Sequence, residues 1–165
     1  MIRVVPLSAE DAPELFEAIT RSRALHEPWV AQPAGLAELQ EHLGLSPGVR
    51  ISYGVREGAG HLVGVVNINS IIRGAFQSAF LGYYAFTPYQ GRGFMHAGLV
   101  AVVDLAFGEH QLHRVEANVQ PGNVRSARLV RRVGFRLEGH SPRYLWINGE
   151  WRDHDRYALT VEEWR

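Results

Sequence analysis

The sequence predicts a mixed α/β domain (α+β, with a mixed but largely antiparallel sheet). Three features predict it: short alternating apolar runs joined by tight turns, apolar positions recurring at helical spacing in other segments, and a glycine loop between an aromatic strand and an apolar helix. The 165 residues, 46% of them apolar, fit one domain, residues 1–165, with a substantial core. With 17 basic and 17 acidic residues the chain carries no overall field favouring nucleic acid or an anionic membrane, so any anion site must be local. No apolar stretch approaches the ~20 residues needed to cross a bilayer, and the amino end has no basic-then-apolar signal pattern; the expectation is a cytoplasmic protein. The absence of cysteine removes disulfides, thiolate metal sites and a cysteinyl acyl-enzyme.

Residues 2–7 alternate weakly as a strand. Ser8 with Asp11 three residues later marks a helix start, and the first helix is expected over residues 9–24. Pro28, Pro33 and Gly35 break the chain, after which Leu36, Leu39 and Leu43 repeat at helical spacing. Residues 50–57, the turn Gly58-Ala59-Gly60 and residues 61–72 read as a hairpin, and residues 79–86 as an aromatic-rich strand. Pro88 lacks an amide donor and should stop that strand's pairing; Gly91 and Gly93 loosen the loop before an apolar helix over residues 94–107. Residues 113–119 alternate as a strand, and Asn123 is placed to cap a helix that Gly134 ends. Residues 135–137 and 144–147 are closing strands, with Asn148-Gly149 turning the chain toward a strand at residues 156–161. The expected order is β-α-α-β-β-β-α-β-α-β-β.

The candidate chemistry centres on Gln90 to His96. An anion placed where a glycine loop enters a helix meets unpaired main-chain N–H groups and the positive end of the helix dipole. A P-loop needs a Lys-Ser/Thr pair after its last glycine, where this loop has Phe94-Met95, and a dinucleotide fingerprint needs a third glycine earlier than Gly98. Taken alone, Gly-x-Gly between strand and helix also fits an ordinary turn.

Several motifs occur in order along the chain: Pro28-Trp29, Leu81-Gly82-Tyr83-Tyr84, Pro88-Tyr89-Gln90-Gly91-Arg92-Gly93-Phe94-Met95, Val115-Glu116-Ala117, Asn123-Val124-Arg125-Ser126, Gly134-Phe135, Asn148-Gly149 and Asp153-His154. With them the sequence resembles the GNAT acetyltransferase superfamily, and more narrowly is similar to its ribosomal-protein-alanine N-acetyltransferase group. The resemblance implies acetyl-CoA as cofactor, its pyrophosphate held by the loop that begins Gln90-Gly91, through main-chain amides of Arg92, Gly93, Phe94, Met95 and His96. It implies the pantetheine arm along the backbone of Ala85, Phe86 and Thr87 like an added strand, and an oxyanion donor near the Phe86 amide. By the same resemblance Asn123 holds the arm, Ser126 protonates the departing thiolate and Glu116 is the general base. A base position used in a relative falls on Leu145, which cannot take a proton. Trp29 and Tyr144 are placed by resemblance at the acceptor mouth.

The residues also allow plainer readings. Glu116 fits an exposed strand glutamate, Asn123 and Ser126 fit a helix cap, and Tyr83 and Tyr84 fit core aromatics as well as reserve acids. Arg125, Arg128 and Arg132 share a helical face that fits solvent better than a cofactor's 3′-phosphate. His110 and His113 lack a third ligand, so no metal is expected; Ser126, His154 and Asp155 lack the nucleophile-elbow pattern of a hydrolase.

The expected function is acetyl transfer to a protein's N-terminal α-amine, directly in a ternary complex, by a monomer or homodimer. Deprotonating such an amine at neutral pH costs about 1 kcal/mol, against about 4.6 kcal/mol for lysine, so only a modest base is needed. A small-molecule amine (antibiotic, polyamine or amino-acid derivative) is the second acceptor class, and a non-catalytic acyl-CoA-binding module the third reading.

Overall fold

The computed structural model describes residues 1–164. The strands are β1 (Ile2–Pro6), β2 (Arg50–Glu57), β3 (Leu62–Ile72), β4 (Ser78–Ala85), β5 (Arg114–Val119), β6 (Arg136–Ile147) and β7 (Glu150–Thr160). The helices are α1 (Ala12–Arg21), α2 (Arg23–His26), α3 (Leu36–Leu43), α4 (Phe94–Phe107), α5 (Val124–Val133) and α6 (Val161–Trp164). The strands form one sheet in the order β1-β2-β3-β4-β5-β7-β6. Every neighbouring pair is antiparallel except β4 and β5, whose connection crosses over through α4 as parallel pairing requires.

Alternation along the strands splits the core between the two faces of the sheet. Val66 and Ile68 of β3 join Leu99, Val102, Val103 and Ala106 of α4 and Val130 of α5. Val65 of the same strand turns the other way, to Leu15 and Ile19 of α1, Leu39 of α3 and Phe86. Each large aliphatic chain fully withdrawn from water contributes about 1.5–3 kcal/mol, so these two layers dominate the stability. α4 lies tight against β2 at one point: a β-carbon on Gly98 would stand 2.7 Å from Val55 Cγ2.

The hairpin over β2 and β3, α3, α4 and the Asn123-capped α5 form where the sequence places them. Two expectations change. The helix expected over residues 9–24 is a 3-10 turn at Ala9–Asp11 followed by α1 and α2, broken at Ser22 (φ −107°, ψ 11°). The reason is tertiary: Ser22 is buried (1% exposed) and its hydroxyl accepts the N–H of Thr87 at 3.0 Å, a partner no helical pattern records. The closing segments 135–137 and 144–147 are parts of the single strand β6, whose pairing slips between Leu137 and Gly139 and between Ser141 and Leu145. β6 is the sheet's edge, where irregular pairing and a proline such as Pro142 are tolerated. Its partner β7 begins at Glu150, earlier than expected, because its first half is exposed and shows no apolar alternation.

Gly98→Val forces a side chain into Val55 and is expected to lower stability by about 1–3 kcal/mol. A denaturant melt with an unchanged midpoint would contradict this close contact between helix and sheet.

Candidate active site

The cleft begins where β4 and β5 part. Their ladder pairs Ser78, Ala79 and Phe80 with Arg114, Val115 and Glu116 and stops there. On its other edge β4 stays paired with β3 up to Ala85, and Phe86 N–H continues the pattern to Val63 O at 2.9 Å. Antiparallel main-chain groups alternate in direction, so Tyr84 and Phe86 bond toward β3 while Tyr83 and Ala85 face the gap. A cavity of about 470 Å³ opens there, in the size range of small-molecule sites. Its walls include Tyr83, Tyr84 and Ala85 of β4, the loop residues Tyr89, Gln90, Gly91 and Gly93, the start of α4, and Asn123, Arg125, Ser126, Arg128 and Arg132 of α5 and its cap. Leu25, His26, Trp29 and Val30 close the remaining side.

The loop enters α4 through two left-handed residues, Gly91 (φ 78°) and Gly93 (φ 81°), a conformation costly for any side chain with a β-carbon. No side chain caps α4, so its first N–H groups stay unpaired and point past Phe94, Met95 and His96 into the cleft. Gln90 adds a buried Oε1 without a protein partner among the described residues. Arg125, Arg128 and Arg132 stand on the cleft side of α5, and among the described residues none pairs with a carboxylate. The three side chains are exposed, as the sequence favoured, and also border the cleft, so a neutral chain carries a local positive wall there.

Asn123 caps α5, its Oδ1 accepting Ser126 N–H at 3.3 Å, and also lines the cleft. Ser126 Oγ lies 2.6 Å from Tyr83 Oη. Burial pushes the Tyr83 phenol well above its ordinary range, outweighing the opposing Ser126 hydrogen bond, so the phenol stays protonated. Both groups of the pair hold a proton at neutral pH.

Several expected residues lie elsewhere. Phe86 is fully buried in the second core layer; its N–H goes to Val63 O and its carbonyl accepts Tyr89 N–H at 2.8 Å. Thr87 N–H is taken by Ser22 and its carbonyl by Arg21 Nε at 2.6 Å. Neither residue has a free main-chain group for an arm or an oxyanion, and β4's open edge is instead Tyr83 and Ala85. The guanidinium of Arg92 sits over the Tyr89 ring, 5.8 Å from its centroid. Tyr144 packs beside His154, with 6.2 Å between ring centroids, and is absent from the cleft wall. Glu116 is absent from it as well: its Oε1 accepts Arg114 Nη2 at 2.6 Å, and Arg114 also pairs with Glu138. Arg136 bridges Glu138 and Glu163 to extend that ladder. The glutamate thus serves a charge network on the sheet, not the reacting end.

His26 was missed. It is 5% exposed and lines the cleft, yet a lone histidine between a helix end and Pro28-Trp29 carries no periodic or spacing signal. Its segment is fastened by bonds from several strand ends. Gln120, past β5, donates to Trp29 O at 3.1 Å, and Asn148, in the β6–β7 turn, donates to Glu27 O at 2.6 Å. His26 itself reaches Ala85 O at 2.6 Å.

A glycine-entered, uncapped helix start beside splayed parallel strands makes a cleft suited to a polyanionic ligand. Residues 2–136 match the acetyltransferase (GNAT) domain, and the chain belongs to that family, whose acyl donor is acetyl-CoA. It is 40% identical over 103 residues to the Escherichia coli (strain K12) [ribosomal protein uS5]-alanine N-acetyltransferase, a match covering 62% of this chain and 53% of that protein. The chain spans about half the length of the curated relatives it matches. The crystal structure of ribosomal-protein-S5-alanine acetyltransferase from Vibrio fischeri aligns with TM-score 0.87 and 26% identity, over 99% of this chain and 95% of that one. Mycobacterium smegmatis RimJ in complex with CoA-disulfide aligns with TM-score 0.84 and 30% identity, over 98% and 83%. Among the described residues no helix is long and apolar enough to cross a membrane.

Glu138 sits between two arginines that hold its carboxyl at about 2, against 4.5 for a free glutamate. Its contribution to stability is present above about pH 4.5 and is lost as pH falls toward about 2. Acid melts of Glu138→Gln should show a shallower decline across that window than the wild type; parallel curves would show that this carboxylate is uncoupled from folding.

Proposed function

We propose that the chain is an acetyl-CoA-dependent N-acetyltransferase acting by direct transfer on the N-terminal α-amine of a protein, with a ribosomal protein as its acceptor. One observation carries the reading: the open edge of β4, the uncapped start of α4 and the Tyr83–Ser126 pair share one cleft. The acceptor class is supported by the similarity to the uS5-alanine enzyme, and the amine's pKa makes it the less demanding choice.

The residues fit the donor. Unpaired N–H groups from Gly93 to His96 match a pyrophosphate, and Arg125, Arg128 and Arg132 match a further phosphate. Tyr83 and Ala85 offer main-chain partners to an extended arm, with Asn123 beside it. When bound, acetyl-CoA supplies the acyl group as a thioester. Ser126 Oγ would donate a proton to the departing sulfur and regain one from the attacking amine's nitrogen, so that the proton the new amide sheds ends on the thiol, with Tyr83 Oη hydrogen-bonded behind it. A serine partnered by a protonated phenol has no base to make it a nucleophile, which favours direct transfer over an acyl-serine. Ala85 N–H, free on the open edge, replaces Phe86 N–H as the donor facing the acyl carbonyl. The Arg114-bound Glu116 plays no part, and positioning supplies most of the rate.

The test is thiol release from acetyl-CoA with Ala- or Ser-starting peptides beside a panel of small amines. Peptide-dependent release is the expected result; release with small amines alone would replace the acceptor, and saturable CoA binding without release would remove transfer. Ser126→Ala should lower turnover by about tenfold or more while CoA affinity stays within about twofold, whereas Glu116→Gln should turn over as the wild type does. Equal rates for Ser126→Ala, or a collapse for Glu116→Gln, would reverse those roles. In Gly93→Val the left-handed turn is strained by roughly 1–3 kcal/mol, and calorimetry should find CoA binding weakened by about tenfold; unchanged affinity would contradict the loop as pyrophosphate site.

A further inference from the structure

His26 occupies the place on β4's open edge where a neighbouring strand would otherwise pair. Its Nε2 lies 2.6 Å from Ala85 O, and a carbonyl only accepts, so Nε2 carries the hydrogen. Its Nδ1 lies 3.0 Å from Gln32 Nε2, whose amide hydrogens make it a donor, so Nδ1 is the acceptor. The ring is therefore neutral, in one tautomer, with both nitrogens engaged. It packs against Tyr84 and Phe86, with centroids 5.4 and 5.8 Å away. With its lone pair facing Gln32, His26 is not placed to take a proton from an acceptor.

We propose that His26 is a positioning residue whose neutral imidazole holds the Ala85 carbonyl, keeping the Tyr83 and Ala85 N–H groups aimed into the cleft, and that transfer requires this neutral state. The inference rests on the acyltransferase reading of the same cleft. A proton on Nδ1 would set an N–H against the Gln32 amide donor, so either the amide turns over or the ring leaves Ala85. Burial favours the neutral form over the opposing Ala85 hydrogen bond. The titratable or charged groups on the elements around it are Tyr83 and Tyr84 of β4, Tyr89 of the loop, Arg21 of α1 and Arg50 of β2 and, across the cleft, His96 of α4 and Arg125, Arg128 and Arg132 of α5. None is a carboxylate that would stabilise an imidazolium; Glu27, next in the chain, is exposed.

The experiment compares wild type, His26→Gln and His26→Phe in the thiol-release assay from about pH 5 to about pH 8, with CoA calorimetry and imidazole ¹⁵N shifts on the wild type. His26→Phe, which keeps the ring but lacks the donor, should lose about tenfold in kcat with a smaller change in KM. His26→Gln places an amide N–H near Nε2 and should recover most of that loss, and its rate should fall with acidity only as the acceptor amine protonates, without the further decline that His26 adds in the wild type. The ¹⁵N spectrum should show a neutral ring protonated at Nε2. Wild-type kcat in His26→Phe, no rescue by glutamine, an acid limb in His26→Gln identical to that of the wild type, or a ring protonated at Nδ1 would each overturn the proposal. Should the wild type bind CoA but release no thiol, the transferase reading fails by itself, and the ¹⁵N tautomer with the pH dependence of CoA affinity in wild type and His26→Gln still decides His26.

Discussion

Three parallel residue pairs hold β4 to β5 before the strands diverge, and that short ladder governs the remaining architecture. Past Phe80 and Glu116 the facing edges have no strand between them, although unpaired main-chain groups buried from water are costly. The protein meets this constraint by giving each exposed group another partner or an opening. His26 takes the carbonyl of Ala85, while the amides of Tyr83 and Ala85 open into the cavity. Because α4 begins at the same end of β4, the gap and an anion-binding helix start form a single groove.

Charge follows the same division. The chain is neutral as a whole, yet three arginines without carboxylate partners among the described residues line the groove, while Glu116, Glu138 and Glu163 are tied to Arg114 and Arg136 on the far strands. Sequestering carboxylates away from the groove leaves its potential positive, which suits a polyanionic ligand. Around the proposed sulfur position the ionisable side chains are neutral: burial keeps the Tyr83 phenol protonated, whereas burial and two hydrogen-bond partners keep a second proton off His26.

Much of this could be read from the residues because the relevant signals are local. Gly91 and Gly93 announce a left-handed turn, Asn123 and Ser126 stand one turn apart at a helix start, and the hairpin of β2 and β3 shows plain alternation. The misses came from partners distant in sequence. Ser22 breaks its helix for an amide 65 residues away, Glu116 is claimed partly through Glu138, and His26 is defined by a carbonyl 59 residues on. Whether Phe86 or Ala85 faces the gap depends on strand register, which one-residue shifts invert. The three arginines show a shared face in the sequence, but which way that face turns is decided by the packing of α5.

The segment from Ser22 to Gln32 crosses the groove with little regular structure of its own, fastened by its own Ser22 and His26 and by side chains from the end of β5 and from the β6–β7 turn. Such fastening separates this wall from the hydrophobic layers that stabilise the sheet. A new residue at Leu25, Trp29 or Val30 therefore reshapes the entrance while Leu99, Val103 and Ile68 keep their neighbours. The entrance is thus shaped by side chains that can be exchanged one at a time, while the frame behind it keeps its packing.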